Sequence, residues 1–267
     1  MKYLGGKHKI GRLIAEYITK ICPPDSVDGY LEPFCGSLGV FKNMTSKGYK
    51  KYIASDKQPD LIEMWKKIQN NTLHIPKNIS EETYKKLKTA PSPNALKAVA
   101  GFGISFGGKY FAGYSQKMAG NSGRNYLDEF KRSIEKIKPH IVGNNIHFYN
   151  KSYSDFNPHN MIIYCDPPYK STEGYAATGD FDNELFWETM RKWSKDNCVF
   201  ISEESAPSDF KVVWRMKKRR TLDKTTRFYS EEKLYAYRKP AVVQSKQSKQ
   251  SKKRIATSIG KKTRRKK

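Results

Sequence analysis

The sequence predicts an α/β fold with a Rossmann-like sheet, and three observations carry that prediction. An apolar run, Val27–Leu31, opens into a glycine-bearing loop, Glu32-Pro33-Phe34-Cys35-Gly36-Ser37-Leu38-Gly39, followed by a helix to about Ser46 that Gly48 caps. A second β-branched and aromatic run, Met161–Cys165, halts at Asp166-Pro167-Pro168-Tyr169. Between and after these runs, helical and strand-like patterns alternate.

Taken in order, Lys2-Tyr3-Leu4-Gly5-Gly6-Lys7 precedes a helix over Ile10–Cys22, apolar at 10, 13, 14, 17, 18 and 21 and stopped by Pro23-Pro24. Two glycines and a lysine before a helix form an anion-binding turn or a plain flexible lead-in. Lys51–Ser55 is the second strand, with Asp56 at its end. An acid about twenty residues beyond a glycine loop is placed to accept from ribose hydroxyls. The bland reading makes Gly36 and Gly39 turn formers and Asp56 a cap for the Asp60–Ile68 helix.

The sheet pattern then lapses. Helical stretches at Glu81–Lys88 and Asn94–Phe102 lead into a glycine-, aromatic- and base-rich segment from Gly101 to Asn125. It suits a mobile loop or hairpin that presents Lys109, Tyr110, Lys117, Asn121 and Arg124 to phosphates and base edges; an ordinary loop with packed aromatics fits equally. A helix over Leu127–Ile137 returns to strands Ile146–Tyr149 and Met161–Cys165. A polar, glycine-bearing stretch, Lys170–Asp182, has the character of a lid. Helix Asn183–Lys195 and strands Cys198–Ser202, Lys211–Met216 and Lys233–Tyr237 complete the sheet.

The tip of the central strand carries the chemistry. Neither proline can donate to a neighbouring strand, and each biases its predecessor toward an extended backbone. The run therefore projects a carboxylate, a free carbonyl and an aromatic face where open α/β sheets bind ligands. Asp166 and the Pro167 carbonyl can each accept one hydrogen of an amine while Tyr169 stacks on its ring. A proline-stiffened turn with a capping aspartate is the alternative.

Composition sets the bounds. The net charge is +25, from 51 Lys and Arg against 26 Asp and Glu. Eleven bases and no acid lie in the low-complexity tail from Gln244, so most of the excess sits on the folded body. A basic body points to a polyanion, nucleic acid first. No apolar run approaches membrane-spanning length, and the start lacks signal-peptide character. Cys22, Cys35, Cys165 and Cys198 form no C-x-x-C pair and read as buried thiols of a reducing compartment, cytoplasmic or nuclear. The five histidines are scattered, so no metal site is expected.

Lys2-Tyr-Leu-Gly-Gly-Lys7, Glu32-Pro-Phe-Cys-Gly36, Asp56, Ser154-Asp155-Phe156 and Asp166-Pro-Pro-Tyr169, in this order, resemble the adenine-specific DNA methyltransferases of the group that includes the bacterial GATC methylase. The resemblance runs from Met1 to about Arg238. It implies a Rossmann-like S-adenosylmethionine-dependent methyltransferase sheet with an inserted, mainly helical target-recognition segment. Residues 1–69 would be the cofactor part, 70–144 the insertion, 145–239 the catalytic part and 240–267 a disordered basic tail. Glu32, Phe34, Gly36 and Lys7 would line the methionine half of the cofactor, Gly6 would also be cofactor-binding, and Tyr3 would face its sulfonium. Asp56 would hold the ribose, and Asp155 with Phe156 the adenine. Asp166, Pro167, Pro168 and Tyr169 would be catalytic, with Asp166 also near the cofactor, and double-stranded DNA the partner. The family loop reads Phe-x-Gly-x-Gly, whereas Leu38 takes the second glycine place here, which predicts an altered backbone route past the cofactor. Two alternatives remain open at this point: an RNA or cytosine-amine methyltransferase, and a catalytically decayed DNA-binding relative. In such enzymes Ser commonly replaces the first Asp for cytosine amines, so Asp166 leans toward adenine.

Overall fold

The computed structural model describes residues 1–115, 124–168, 181–221 and 227–237, with side chains described except at 218–221 and 227–230. Lys117, Asn121, Tyr169, most of the predicted lid and the 240–267 tail lie outside the described residues.

The strands are β1 (Gly29–Glu32), β2 (Tyr52–Ser55), β3 (Ile146–Tyr149), β4 (Met161–Cys165), β5 (Cys198–Ser202), β6 (Lys211–Thr221) and β7 (Arg227–Ala236). They form one seven-stranded sheet in the order β3-β2-β1-β4-β5-β7-β6. β1 to β5 run parallel, and β7 enters antiparallel beside β5. The chain winds outward from β1 through β2 to β3, then returns to β4 on the other side of β1. The gap between the carboxyl ends of β1 and β4 is thus a topological switch point, where such sheets bind ligands.

Both faces of the sheet are covered, which is why its inner strands are apolar throughout rather than alternating. Along β4, Ile162 and Tyr164 join the larger core while Met161, Ile163 and Cys165 join the other. The larger core takes α1 (Gly11–Ile21), α2 (Phe41–Met44) and α3 (Pro59–Gln69); the smaller takes α7 (Asn183–Trp193). Local chemistry explains the starts. The Gln58 side chain accepts from the Asp60 amide ahead of α3, with Pro59 in its first turn, and Asp182 accepts from the Leu185 amide to open α7.

Residues 70–144 hold α4 (Glu81–Thr89), α5 (Ala95–Ala98) and α6 (Tyr126–Ile137), and a π-helical turn, Val99–Gly103, continues α5. Their apolar residues belong to the same core as α1–α3, so this part packs onto the sheet unit directly. The stretch read as a mobile loop or hairpin, or equally as an ordinary loop with packed aromatics, is over Gly101–Ser115 a turn with packed aromatics. Phe102, Ile104 and Phe111 are buried, and Ser105 bridges Tyr114. Gly101 makes this possible, because a Cβ there would stand 2.4 Å from the Tyr110 ring.

Two expectations are corrected. The last two strands were predicted as short runs, Lys211–Met216 and Lys233–Tyr237; they are a long hairpin, Lys211–Thr221 against Arg227–Ala236. Apart from the adjacent Phe228 and Tyr229, the added length is polar and charged, so no apolar alternation announced it. The four cysteines were expected to be free thiols. Cys22 and Cys198 are joined in a disulfide, while Cys35 and Cys165 are free and buried. The paired residues lie 176 positions apart, and only the docking of α1 beside β5 brings them together. Among the described residues, no helix is long and apolar enough to cross a membrane.

Candidate active site at the carboxyl edge of the sheet

Five elements deliver side chains to one edge. Glu32 ends β1, Asp56 follows β2, Asp166 follows β4 and Glu203 follows β5, while Glu232 comes from β7. The amino-terminal segment closes over them. Gly39 lets it approach, since a Cβ at 39 would lie 2.9 Å from the Lys7 amide nitrogen.

Lys7 is the centre of this edge. Its side chain is 4% exposed, and its Nζ lies 2.9 Å from Asp166 Oδ1 and 3.2 Å from Glu232 Oε1. A buried ammonium is stable only when paired, and here two carboxylates share it. Glu32 is buried behind the pair and accepts from the Tyr30 hydroxyl at 2.7 Å. Burial pushes the Glu32 carboxyl well above the usual carboxylate range, the Tyr30 hydrogen bond opposes the shift, and the Asp166 charge adds to it. Glu203 is lifted to about 7, chiefly by burial and then by the neighbouring charges of Glu204 and Asp166, against the Glu204 amide and Lys7.

The glycine loop beside this cluster is held firmly. Asp56 Oδ2 accepts from the Gly36 amide at 3.0 Å, its Oδ1 accepts from the Gln58 amide at 3.0 Å, and Trp65 Nε1 donates to the Gly36 carbonyl at 2.9 Å. Burial raises the Asp56 carboxyl and the two amides lower it. Gly36 and Leu38 both have positive φ, 43° and 59°. The Tyr3 ring lies against Gly36, 3.0 Å from where a Cβ would stand, and packs on Phe102 at 5.1 Å. Ser37 Oγ is buried with no hydrogen-bond partner among the described residues.

The remaining expected residues are placed as follows. Phe34 is partly buried in an aromatic cluster with Tyr153 and Phe186. Gly6 donates its amide to the Tyr3 carbonyl at 3.0 Å. Asp155 is exposed and caps its own turn, accepting from the Ser152 amide at 3.0 Å, and Phe156 packs edge-on against Tyr149. Pro167 is buried and Pro168 half-buried. In the insertion, Lys109 is exposed, whereas the Tyr110 hydroxyl donates to the buried Asp60 at 2.5 Å. Arg124 is bonded to Glu129 and lies over the Tyr126 ring. The structure therefore gathers Tyr3, Gly6, Lys7, Glu32, Gly36, Asp56 and Asp166 at one edge. It adds Glu203 and Glu232, which sequence reasoning missed; an acid directly after a β-strand is the one signal that marked Glu203.

Residues 3–95 match the family model described as D12 class N6 adenine-specific DNA methyltransferase. The chain is similar to that family. The matched stretch includes the Tyr3–Lys7 segment, the glycine loop and Asp56. Over 214 residues the chain is 23% identical to the type II methyltransferase M.FokI of Planomicrobium okeanokoites, covering 67% of this chain and 30% of that protein. The chain thus spans about a third of that relative's length. Solved structures with a looser likeness include the rRNA methyltransferase aviRa of Streptomyces viridochromogenes, at TM-score 0.40 and 12% identity over 85% of this chain and 83% of that one. A putative RNA methyltransferase of Pyrococcus horikoshii has TM-score 0.35 and 13% identity, over 85% and 80%.

The residues present fit S-adenosylmethionine. A glycine turn with positive φ leaves room for close approach, the buried Ser37 hydroxyl lacks a partner among the described residues, and a carboxylate stands at the end of the adjacent strand.

Proposed function

We propose that this protein transfers a methyl group from S-adenosylmethionine to the exocyclic 6-amino group of an adenine flipped out of duplex DNA. The observation that carries the reading is the Asp166 carboxylate at the switch point, at the end of the central strand and ion-paired with a buried lysine. S-adenosylmethionine supplies an electrophilic methyl group on a sulfonium. On this reading Tyr3, Gly6, Lys7, Glu32, Phe34, Gly36 and Asp56 form its cradle, with Asp155 and Phe156 beside its base.

The chain's own part is positioning. An amino group inside a base stack cannot be reached, so the base is turned out of the helix. Asp166 and the Pro167 carbonyl each accept a hydrogen from the amine, and Tyr169 stacks on the ring. Those two bonds strengthen as positive charge grows on nitrogen. Lys7 holds the Asp166 carboxylate by an ion pair, and Glu232 gives the ammonium a second partner as Asp166 turns to the amine. The insertion, 70–144, would carry recognition through Lys109, Tyr110, Lys117, Asn121 and Arg124.

The test is transfer of labelled methyl groups to unmethylated duplex DNA, with nucleoside analysis and mapping of the sites. Methyladenine at a short recurring sequence is expected. Methyl label on RNA alone, or on cytosine, would overturn the adenine assignment. Asp166→Ala should lower transfer by on the order of a thousandfold or more while S-adenosylmethionine still binds. Equal loss of binding and transfer would sink the role given to Asp166.

A further inference from the structure

The long β6–β7 hairpin is larger than the sheet needs. β7 pairs with β5 only at Ile201↔Tyr235 and Ser202↔Leu234. Beyond that rung, Arg215–Thr221 and Arg227–Lys233 continue as a two-stranded ribbon, with no third strand among the described residues. The direction follows from the pairing. β5 runs parallel to β4, with Cys165 level with Ile201, and β7 is antiparallel to β5. The ribbon therefore extends past the same edge at which Asp166 stands, over about 24 Å for seven residues per strand.

Its base is fixed to the site. Glu232 reaches Lys7, Leu234 is fully buried, and at the bulge between Val212 and Trp214 the Tyr17 hydroxyl donates to the Val213 carbonyl at 2.8 Å. Its composition is one-sided. The two strands beyond the rung carry Arg215, Lys217, Lys218, Arg219, Arg220, Arg227 and Lys233 against Glu231 and Glu232, and Glu232 is taken by Lys7. Arg215 and Lys217 are exposed. A lone ribbon is only marginally stable in water, and the sequence puts four cations in a row, Lys217 to Arg220, on one of its strands. A polyanion would complement that net charge.

We propose that this ribbon is an arm that grips duplex DNA next to the flipped base, in addition to the insertion. The proposal rests on the reading of duplex DNA as substrate. A two-stranded ribbon fits the major groove of B-form DNA, whereas the major groove of A-form RNA is too narrow to admit it. The arm is rooted on the strand that supplies Glu232, so DNA bound along it lies against the edge where the base is received.

The experiment compares duplex affinity as a function of salt for the wild-type chain and two variants. K217Q/K218Q/R219Q/R220Q removes four charges from the arm. K50Q/K51Q/K192Q/K195Q removes four from positions before β2 and β5, near the opposite edge. Each phosphate contact contributes about 0.9 to the slope of log affinity against log salt, so the arm variant should lose roughly 2 to 4 from that slope and bind at least about tenfold more weakly near 0.15 M salt. The opposite-edge variant should keep the wild-type slope to within about one contact. Thermal melts show that both variants are folded. Equal losses in both variants, or an unchanged slope in the arm variant, would overturn the arm while leaving adenine methylation standing. A wild-type protein that does not bind duplex DNA would overturn both.

Discussion

Leu38 occupies a backbone conformation that normally belongs to glycine, with φ 59° and no solvent exposure. The left-handed region costs a β-carbon residue about 1–2 kcal/mol. Leu38 meets that cost by filling the core, so the altered loop sequence keeps a glycine-like route. Leu38→Gly would recover the strain and lose a buried leucine, whose removal typically costs about 2–5 kcal/mol. The expected net is a loss of about 1–3 kcal/mol, read by denaturant unfolding; a more stable variant would show that strain outweighs packing. Glu203 offers a pH test at the same scale. Its carboxyl is lifted to about 7, so the folded chain holds that proton more tightly than the unfolded one. Its favourable contribution is full below the ordinary glutamate range and is lost as pH rises through about 7. Glu203→Gln should therefore flatten the fall in stability between about pH 4.5 and 7.5 and gain on the order of 1 kcal/mol above it, discounted for partial exposure. Thermal melts across that range check it, and parallel curves for the two proteins would refute it. Glu203 also lines a cleft with Trp187 and Arg191, so its protonation changes the charge of a wall beside the site.

Among elements, the amino-terminal segment, the end of β4 and the ribbon strand β7 meet at Lys7, Asp166 and Glu232. Each of the three would be a costly buried charge alone, and each depends on the others. Lys7→Met would leave two carboxylates facing each other without a cation, a loss of about 3–5 kcal/mol for a broken buried pair. Facing carboxylates raise each other's pKa, so the variant should lose further stability as pH rises from about 4 to 8. Urea unfolding at both ends of that range checks the prediction, and a pH-independent loss would place the damage in packing instead.

For the molecule as a whole, charge is the controlling quantity. Eleven of the bases lie in the tail from Gln244, and bases at that density attract phosphates whatever the DNA sequence. Deleting Gln244–Lys267 should weaken duplex binding and flatten its salt dependence; an unchanged slope would remove the tail from the DNA-binding account. The tail and the arm are separable, because their losses should add if they contact different phosphates.

The parts decided locally were legible in the sequence. β4 and β5 fall at the predicted residues because buried parallel strands are short, continuous apolar runs, and the edge strand β3 does so through its alternation, with Ile146 and Phe148 buried and His147 exposed. The glycine loop and Asp166-Pro167-Pro168 were legible because proline and glycine dictate backbone shape within a few residues. Helix ends moved by a residue or so, since capping side chains rather than periodicity set them. What only the tertiary structure decided was everything that depends on pairs distant in sequence. Lys7 meets Asp166 and Glu232 across the whole chain, Cys22 meets Cys198, and the basic hairpin takes its direction from two rungs against β5. Such contacts are made by packing and sheet order, and no local pattern of polarity encodes which distant partner a charged residue will find.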